Sequence, residues 1–244
     1  LERAIFRRLT SLLPKFILTE AYDFSLSGFF EPAQAVRNLE LELLPVMARH
    51  YRRGFITMYE ANEGKYEAIS KSIDAPVFGR HRDIEGLIGN YNQTRQLYLS
   101  GIAVRLSNRV AKVIADGREE SLSLTQIAKA IVTKVAPISR ARAALIARTE
   151  THNAASLAHD QYHGALSDEL GISMKKRWLS TSDLRTRSAH RTANRQTVDM
   201  NEPFIVGGYP MMFAGDPKGG AANVVNCRCV IIYVDSRDVD SLSN

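Results

Sequence analysis

The chain has 244 residues, is 45% apolar and 24% charged, and carries a formal net charge of +6 at pH 7. That length holds one large or two modest domains with a sizeable core. No apolar run reaches the ~18 residues of a membrane span, two cysteines do not make a disulfide scaffold, and there is no internal repeat or low-complexity tract. The N-terminal "LERAIFRRLTSLLPKF" lacks the apolar core and cleavage site of a signal peptide, and it has no initiator Met, as expected of a processed chain or a fragment.

Residues 1–115 read as mostly helical. Val36, Leu39, Leu43, Val46 and Met47 recur at helical spacing after Pro32, which suits a first turn, and Pro45 predicts a kink or break. "IDAPVFGRHRDIEG" reads as a loop. The next helix carries the stripe Leu97, Leu99, Ile102, Leu106, Val110, Val113 and Ile114, with Gly117 as its C-cap. Ser123 and Gln126 stand at capping-box spacing and start a short helix ending before Pro137. Ser139 then caps a longer, alanine-rich helix reaching Gly171. Read instead as a helix-turn-helix, this region fails: "VTKVAPI" replaces the short turn, and alanine leaves few long side chains for base edges.

After Gly171 the texture changes. "MKKRWLSTSD" reads as a strand with a turn at Ser182–Asp183, the following stretch is rich in turn residues, and Val224–Val234 is the clearest strand. The fold class is therefore α+β: an N-terminal helical region followed by a small mixed module with short strands. The expected organisation is a helical region over residues 1–120, a module over 121–236 and an acidic tail over 237–244.

Charge is uneven. Residues 137–198 hold 10 basic against 5 acidic residues, while residues 199–244 hold 3 against 6. Lys175, Lys176, Arg177, Arg185, Arg187, Arg191 and Arg195 cluster around the single Trp178 and form a candidate phosphate-binding set, since guanidinium forks match phosphate oxygens. Trp178 could stack on a base but reads first as the core anchor of the module. His190 with Asp183 suggests acid–base or metal chemistry, but no second acidic pair and no HxxxH-type spacing accompanies them, and a structural or hydrogen-bonded histidine is the first reading.

Both cysteines fall in "NVVNCRCVIIYV". On a strand Cys227 and Cys229 share one face and Arg228 points the other way, which argues against a disulfide and against Arg228 activating a thiol. The pair reads first as two small core residues. The alternative is a metal site with His190 as third ligand and His159 or His163 behind it.

The order of motifs resembles the phage head morphogenesis family, the Mu F-like minor head proteins. Arg148, Thr149 and Glu150 match its Arg-Thr-Glu helix. Trp178, Asp183, Arg185, Thr186 and His190 match its Trp strand and Asp-x-Arg-Thr-x-x-x-His run. Pro203–Phe204, Gly215–Asp216–Pro217 and Asn226–Cys229 complete the series. The stretch "TANRQTVD" lacks the glycine of an Asp-Gly that many relatives carry before the Pro-Phe.

The resemblance covers roughly residues 140–234. It implies a minor structural protein of a tailed-phage head, inside the capsid near the portal, aiding head assembly or genome packaging and delivery. The partners it implies are the portal protein, a major capsid or scaffolding protein, and packaged double-stranded DNA bound without sequence preference, with no membrane. The location it implies is the virion interior, and the host cytoplasm during assembly. It implies no enzyme and no cofactor, with zinc left open. It also makes Arg148, Glu150, Trp178, Asp183, His190, Cys227 and Cys229 a structural signature. The alternative is a metal-dependent nuclease using His190, Cys227 and Cys229.

Overall fold

The computed structural model describes residues 2–73 and 84–237. Four long helices come first: α1 (Glu2–Ser27), α2 (Pro32–Ile73), α3 (Ile84–Glu119) and α4 (Leu124–Leu170). Short elements follow: β1 (Met174–Leu179), α5 (Ser188–Thr192), β2 (Thr197–Asp199), β3 (Phe204–Val206), β4 (Tyr209–Met211), a 3-10 turn at Pro217–Gly219, α6 (Gly220–Val224) and β5 (Val230–Asp235). The class is α+β, as the sequence predicts. No described helix is long and apolar enough to cross a membrane. Most of the "IDAPVFGRHRDIEG" loop and nearly all of the acidic tail lie outside the described residues.

The chain divides into two compact units, one of residues 1–51 and 87–148 and the other of residues 52–86 and 149–244. In the first, α1 buries Ile5, Leu9, Leu13, Phe16, Ile17, Ala21 and Phe24, a stripe at intervals of three and four residues. Leu39, Leu43 and Met47 of α2 and Leu99, Ile102, Leu106 and Val110 of α3 supply matching stripes, as expected, with Ile127, Ile131 and Ile146 from α4. Leu97 departs from the expected stripe and is 82% exposed.

Three expected interruptions do not occur. α2 passes through Pro45 without a break, and α4 passes through Pro137, so Ser139 opens no new helix. An interior proline costs about 3 kcal/mol. Burial of Ile131 and Val135 before Pro137, and of Ala143 and Ile146 after it, offsets that, at about 1.5–3 kcal/mol for each large apolar side chain. Gly117 is not a C-cap, because α3 continues to Glu119. Its place is a close approach: a Cβ there would lie 2.7 Å from Ile127 Cγ1. The capping box at the start of α4 forms as read, with Gln126 N donating to Ser123 Oγ at 3.3 Å and Ser123 N to Gln126 Oε1 at 2.8 Å.

In the second unit β1 is the central strand of an antiparallel sheet ordered β2-β1-β5, with Trp178 opposite Ile231 and Lys176 opposite Tyr233. β3 and β4 form a separate hairpin. Trp178 is fully buried and anchors a core of Phe204, Val206, Met211, Ala214, Val224, Cys227, Cys229 and Ile231. Phe204 meets the indole edge-on at 5.4 Å. Burial of Trp178 as the core anchor leaves its ring no face for a base.

The candidate His/Cys site and the basic face

The stretch read as one strand over Val224–Val234 is divided. α6 ends at Val224, Asn226 turns at φ +56°, and pairing begins only at Val230. Asparagine is one of the few side chains tolerated there. Cys227 and Cys229 lie on this connector, both 2% exposed and both free. The alternation survives without the strand: both sulfurs face the core, and Arg228 turns outward to Asp183.

His190 comes to the sulfurs from α5. Its Nδ1 lies 3.2 Å from Cys229 Sγ and 3.7 Å from Cys227 Sγ, and all three potential ligand atoms fall within 4.8 Å of one another. Trp178 packs edge-on against the imidazole at 5.7 Å. A second imidazole, His152 of α4, lies beside Cys227 and lowers its thiol, although it stands outside the three residues whose ligand atoms lie within 4.8 Å of one another. The Nε2 atoms of His152 and His190 are buried without a hydrogen-bond partner. The Cys229 thiol, helped by both histidines against the cost of burial, holds Cys227 well below the ordinary thiol range. The same hydrogen bond, reinforced by burial, pushes Cys229 up. The pair therefore favours one thiolate, on Cys227.

Of the remaining motif residues, Asp183 and Thr149 tie into the connector that carries the cysteines. Asp183 accepts two hydrogen bonds from Arg228 and one each from Arg185 N (3.0 Å) and Thr186 Oγ1 (3.1 Å). Arg228, first among the causes, holds the Asp183 carboxyl far below the usual carboxylate range. Asp183 is thus committed to a guanidinium, and the expected His190–Asp183 acid–base pairing does not form. Thr149 Oγ1 accepts from Asn226 N at 2.9 Å, which ties α4 to the cysteine connector. Arg148 sits in the other unit, 3.7 Å from Glu2. Glu150 is fully buried on α4. In the Gly-Asp-Pro turn, Asp216 accepts from Met212 N at 2.7 Å and Lys218 N at 3.0 Å, capping the 3-10 turn that Pro217 opens.

Among the described residues, His159 and His163 do not join the His190–Cys227–Cys229 group. His159 Nδ1 pairs with the Asn62 side-chain amide, His163 Nδ1 bonds His159 O at 2.9 Å, and His163 stacks on Tyr233 at 4.3 Å. With Asn62, Met58 and Ile231, His152 and His159 line a cavity of about 340 Å³.

The basic set divides. Lys176 is fully buried: its Nζ donates to Met212 O at 2.8 Å and lies 3.7 Å from Asp160 Oδ1. It cannot meet a phosphate, which corrects its place among the DNA-contacting residues. Alternation explains this, since Lys176 precedes Trp178 by two residues and shares its inward face. Asp160 also accepts from Tyr233 at 3.0 Å, and burial lifts its carboxyl to about 6 despite the nearby ammonium. Arg177 is half-buried and donates to Thr197. Lys175 pairs with Asp199 at 2.7 Å. Arg187 donates to Val225 O and Arg191 to Thr186 O from exposed positions. The Arg185 side chain is 81% exposed, and Arg195 is exposed at φ +67°, making the turn in "TANRQTVD" without a glycine.

The sequence pattern of the family described as Phage Mu protein F like protein matches residues 106–232, more than half of the chain. The chain belongs to this family. Two curated relatives match part of the chain. "Minor head protein GP7" of Bacillus phage SPP1 is 33% identical over 144 residues, covering 57% of this chain and 44% of that protein. "NAD(+)--arginine ADP-ribosyltransferase EFV" of Enterococcus faecalis (strain ATCC 700802 / V583) is 35% identical over 142 residues, covering 57% of this chain and 27% of that protein. The chain thus spans less than half the length of either. No solved structure matches.

Sequence reasoning missed His152. Its approach to Cys227 depends on how α4 packs under the connector, so no local spacing announces it. The available signal was its position two residues after Glu150, inside the "ARTETHNAA" segment already picked out as a motif.

Proposed function

We propose that this Mu F-like chain is a minor protein of a phage head, carried inside the capsid near the portal and acting in head assembly or genome packaging. The observation that carries the reading is the family match across residues 106–232, with the similarity to a protein named for the minor head. Its partners would be the portal protein and a capsid or scaffolding protein. The chain would meet packaged double-stranded DNA through Lys175, Arg177, Arg185, Arg187, Arg191 and Arg195. Lys176 is excluded from that set by burial.

Such contact would be phosphate neutralisation without base readout. With six contributing cations the slope of log K against log salt would be about −5. Replacing Arg185, Arg187, Arg191 and Arg195 with alanine would flatten it by about 3 to 4. Mass spectrometry of purified particles tests the structural role, and filter retention of unrelated duplexes over a salt series tests the DNA contact. A chain absent from particles overturns the first, and a salt-insensitive or mutation-insensitive retention overturns the second.

The ADP-ribosyltransferase name of one relative favours a second reading, an enzyme. Two proteins with unlike names match this chain over nearly equal lengths, 142 and 144 residues, so similarity to this chain tracks neither name alone. Only 27% of the transferase-named protein is covered, which leaves ample chain for its activity elsewhere. The nuclease reading also weakens, because its three residues sit buried behind Trp178, Asp183 and Arg228. Transfer of ADP-ribose from NAD to arginine, or plasmid nicking lost in His190→Ala, would reverse this conclusion.

A further inference from the structure

We propose that His152, His190, Cys227 and Cys229 form a four-ligand structural zinc site that fastens α4, α5 and the connector entering β5 to one another. The donor set is two thiols and two imidazoles, a composition that zinc takes in closed tetrahedral sites. The geometry fits. With Zn–N of about 2.0–2.1 Å and Zn–S of about 2.3 Å, a tetrahedral ion separates nitrogen and sulfur ligands by about 3.6 Å. The observed separations from His190 Nδ1 are 3.2 and 3.7 Å.

Two further observations point to a ligand and not to a plain core. Each imidazole reaches the sulfurs while its Nε2 is buried with no hydrogen-bond partner, so neither ring is placed by the polar network that a core histidine ordinarily has. His152 and His190 also converge on the sulfurs from separate helices, whereas two small core cysteines need no imidazole at all. Three segments distant in sequence meet here: His190, Cys227 and Cys229 offer ligand atoms within 4.8 Å of one another, and His152 lies beside Cys227, while the described sheet next to them has three strands. A site with four protein ligands, both sulfurs 2% exposed, has no open position for water or substrate, so its role is to hold the fold. Binding as thiolates displaces thiol protons to solvent, and the two thiolate charges balance that of the ion. The proposal stands apart from the head-protein reading and concerns the module alone.

The test uses the full chain, stripped with a chelator under reducing conditions and titrated with zinc or cobalt(II) alone. One zinc per chain should be retained through gel filtration. Cobalt(II) should give thiolate charge-transfer bands with the intense d–d absorption of a tetrahedral site. His152→Ala should weaken zinc by more than about tenfold, while His163→Ala, on the same helix but away from the sulfurs, should not. Zinc should also protect both thiols of the wild-type chain from alkylation, a readout that stands even if His152→Ala fails to fold. Sub-stoichiometric zinc, a cobalt spectrum without sulfur bands, or equal alkylation with and without zinc would overturn the site. Wild-type affinity in a folded His152→Ala would overturn the four-ligand assignment.

Discussion

Arg228, seated between the two cysteines, donates two hydrogen bonds to Asp183, at 2.6 and 2.7 Å, across 45 positions of sequence. The pair explains why an arginine separates the sulfurs: fixing its side chain outward fixes both neighbours inward. Asp183→Asn would keep the acceptors for Arg185 N and Thr186 but lose the charge and set an amide N–H against the guanidinium. A lower Tm is expected at pH 7. The folded-state carboxyl titrates well below its unfolded value of about 3.9, so its contribution is complete above that pH and disappears only as pH falls through the folded value. The Tm gap between wild type and Asp183→Asn should therefore hold from pH 8 to pH 5 and close only in strong acid. A gap that closes by pH 5 would show that the pair does not stabilise the fold in this way.

Asp160 behaves oppositely. Burial first of all lifts its carboxyl from 3.8 to about 6, with Lys176 and Tyr233 pulling it back down. Between those values the folded chain holds a proton that the unfolded chain has released, so this group's contribution falls as pH rises. The effect amounts to about 3 kcal/mol at most. Burial also lowers the Lys176 ammonium, an effect that the nearby Asp160 opposes. Denaturant unfolding at several pH values between 4 and 7 should show a steeper loss in wild type than in Asp160→Asn, and parallel curves would refute it.

The fold class was legible because helical and strand textures separate at Gly171, and the α4 cap was legible because its two partners are three residues apart. Pro137 misled, since a local rule weighs one lost hydrogen bond and cannot see the burial of Ile131, Val135 and Ile146 on either side. The orientation of Cys227, Arg228 and Cys229 was readable from alternation alone. The same alternation places Lys176 beside Trp178, yet a lysine among six other cations invites a surface reading. His152 needed the tertiary fold. Residue 120, read as a boundary, marks the turn between α3 and α4.

Gly215 should tolerate no side chain. It sits at φ +91°, and a Cβ would lie 2.2 Å from Asn153 Oδ1, an atom of a fully buried residue. Gly215→Ala combines left-handed strain of about 1–2 kcal/mol with that clash. The double variant Gly215→Ala/Asn153→Ala should recover the clash and not the strain. Chemical denaturation would then show a coupling between the two sites, whereas additive losses would mean the two residues act independently.

Gly117 offers a test of opposite sign to the usual rule. Glycine to alanine inside a helix ordinarily gains about 1 kcal/mol. Here the new methyl would meet Ile127 Cγ1 at 2.7 Å and Cδ1 at 3.3 Å, and Ile127 is 1% exposed, with little room to yield. Gly117→Ala should therefore lower the denaturation midpoint in the wild-type background. In an Ile127→Ala background, where the obstacle is gone and a cavity remains, the same substitution should raise it. Stabilisation in both backgrounds would mean that α3 and α4 part easily at this point, and that Gly117 is not there for close packing.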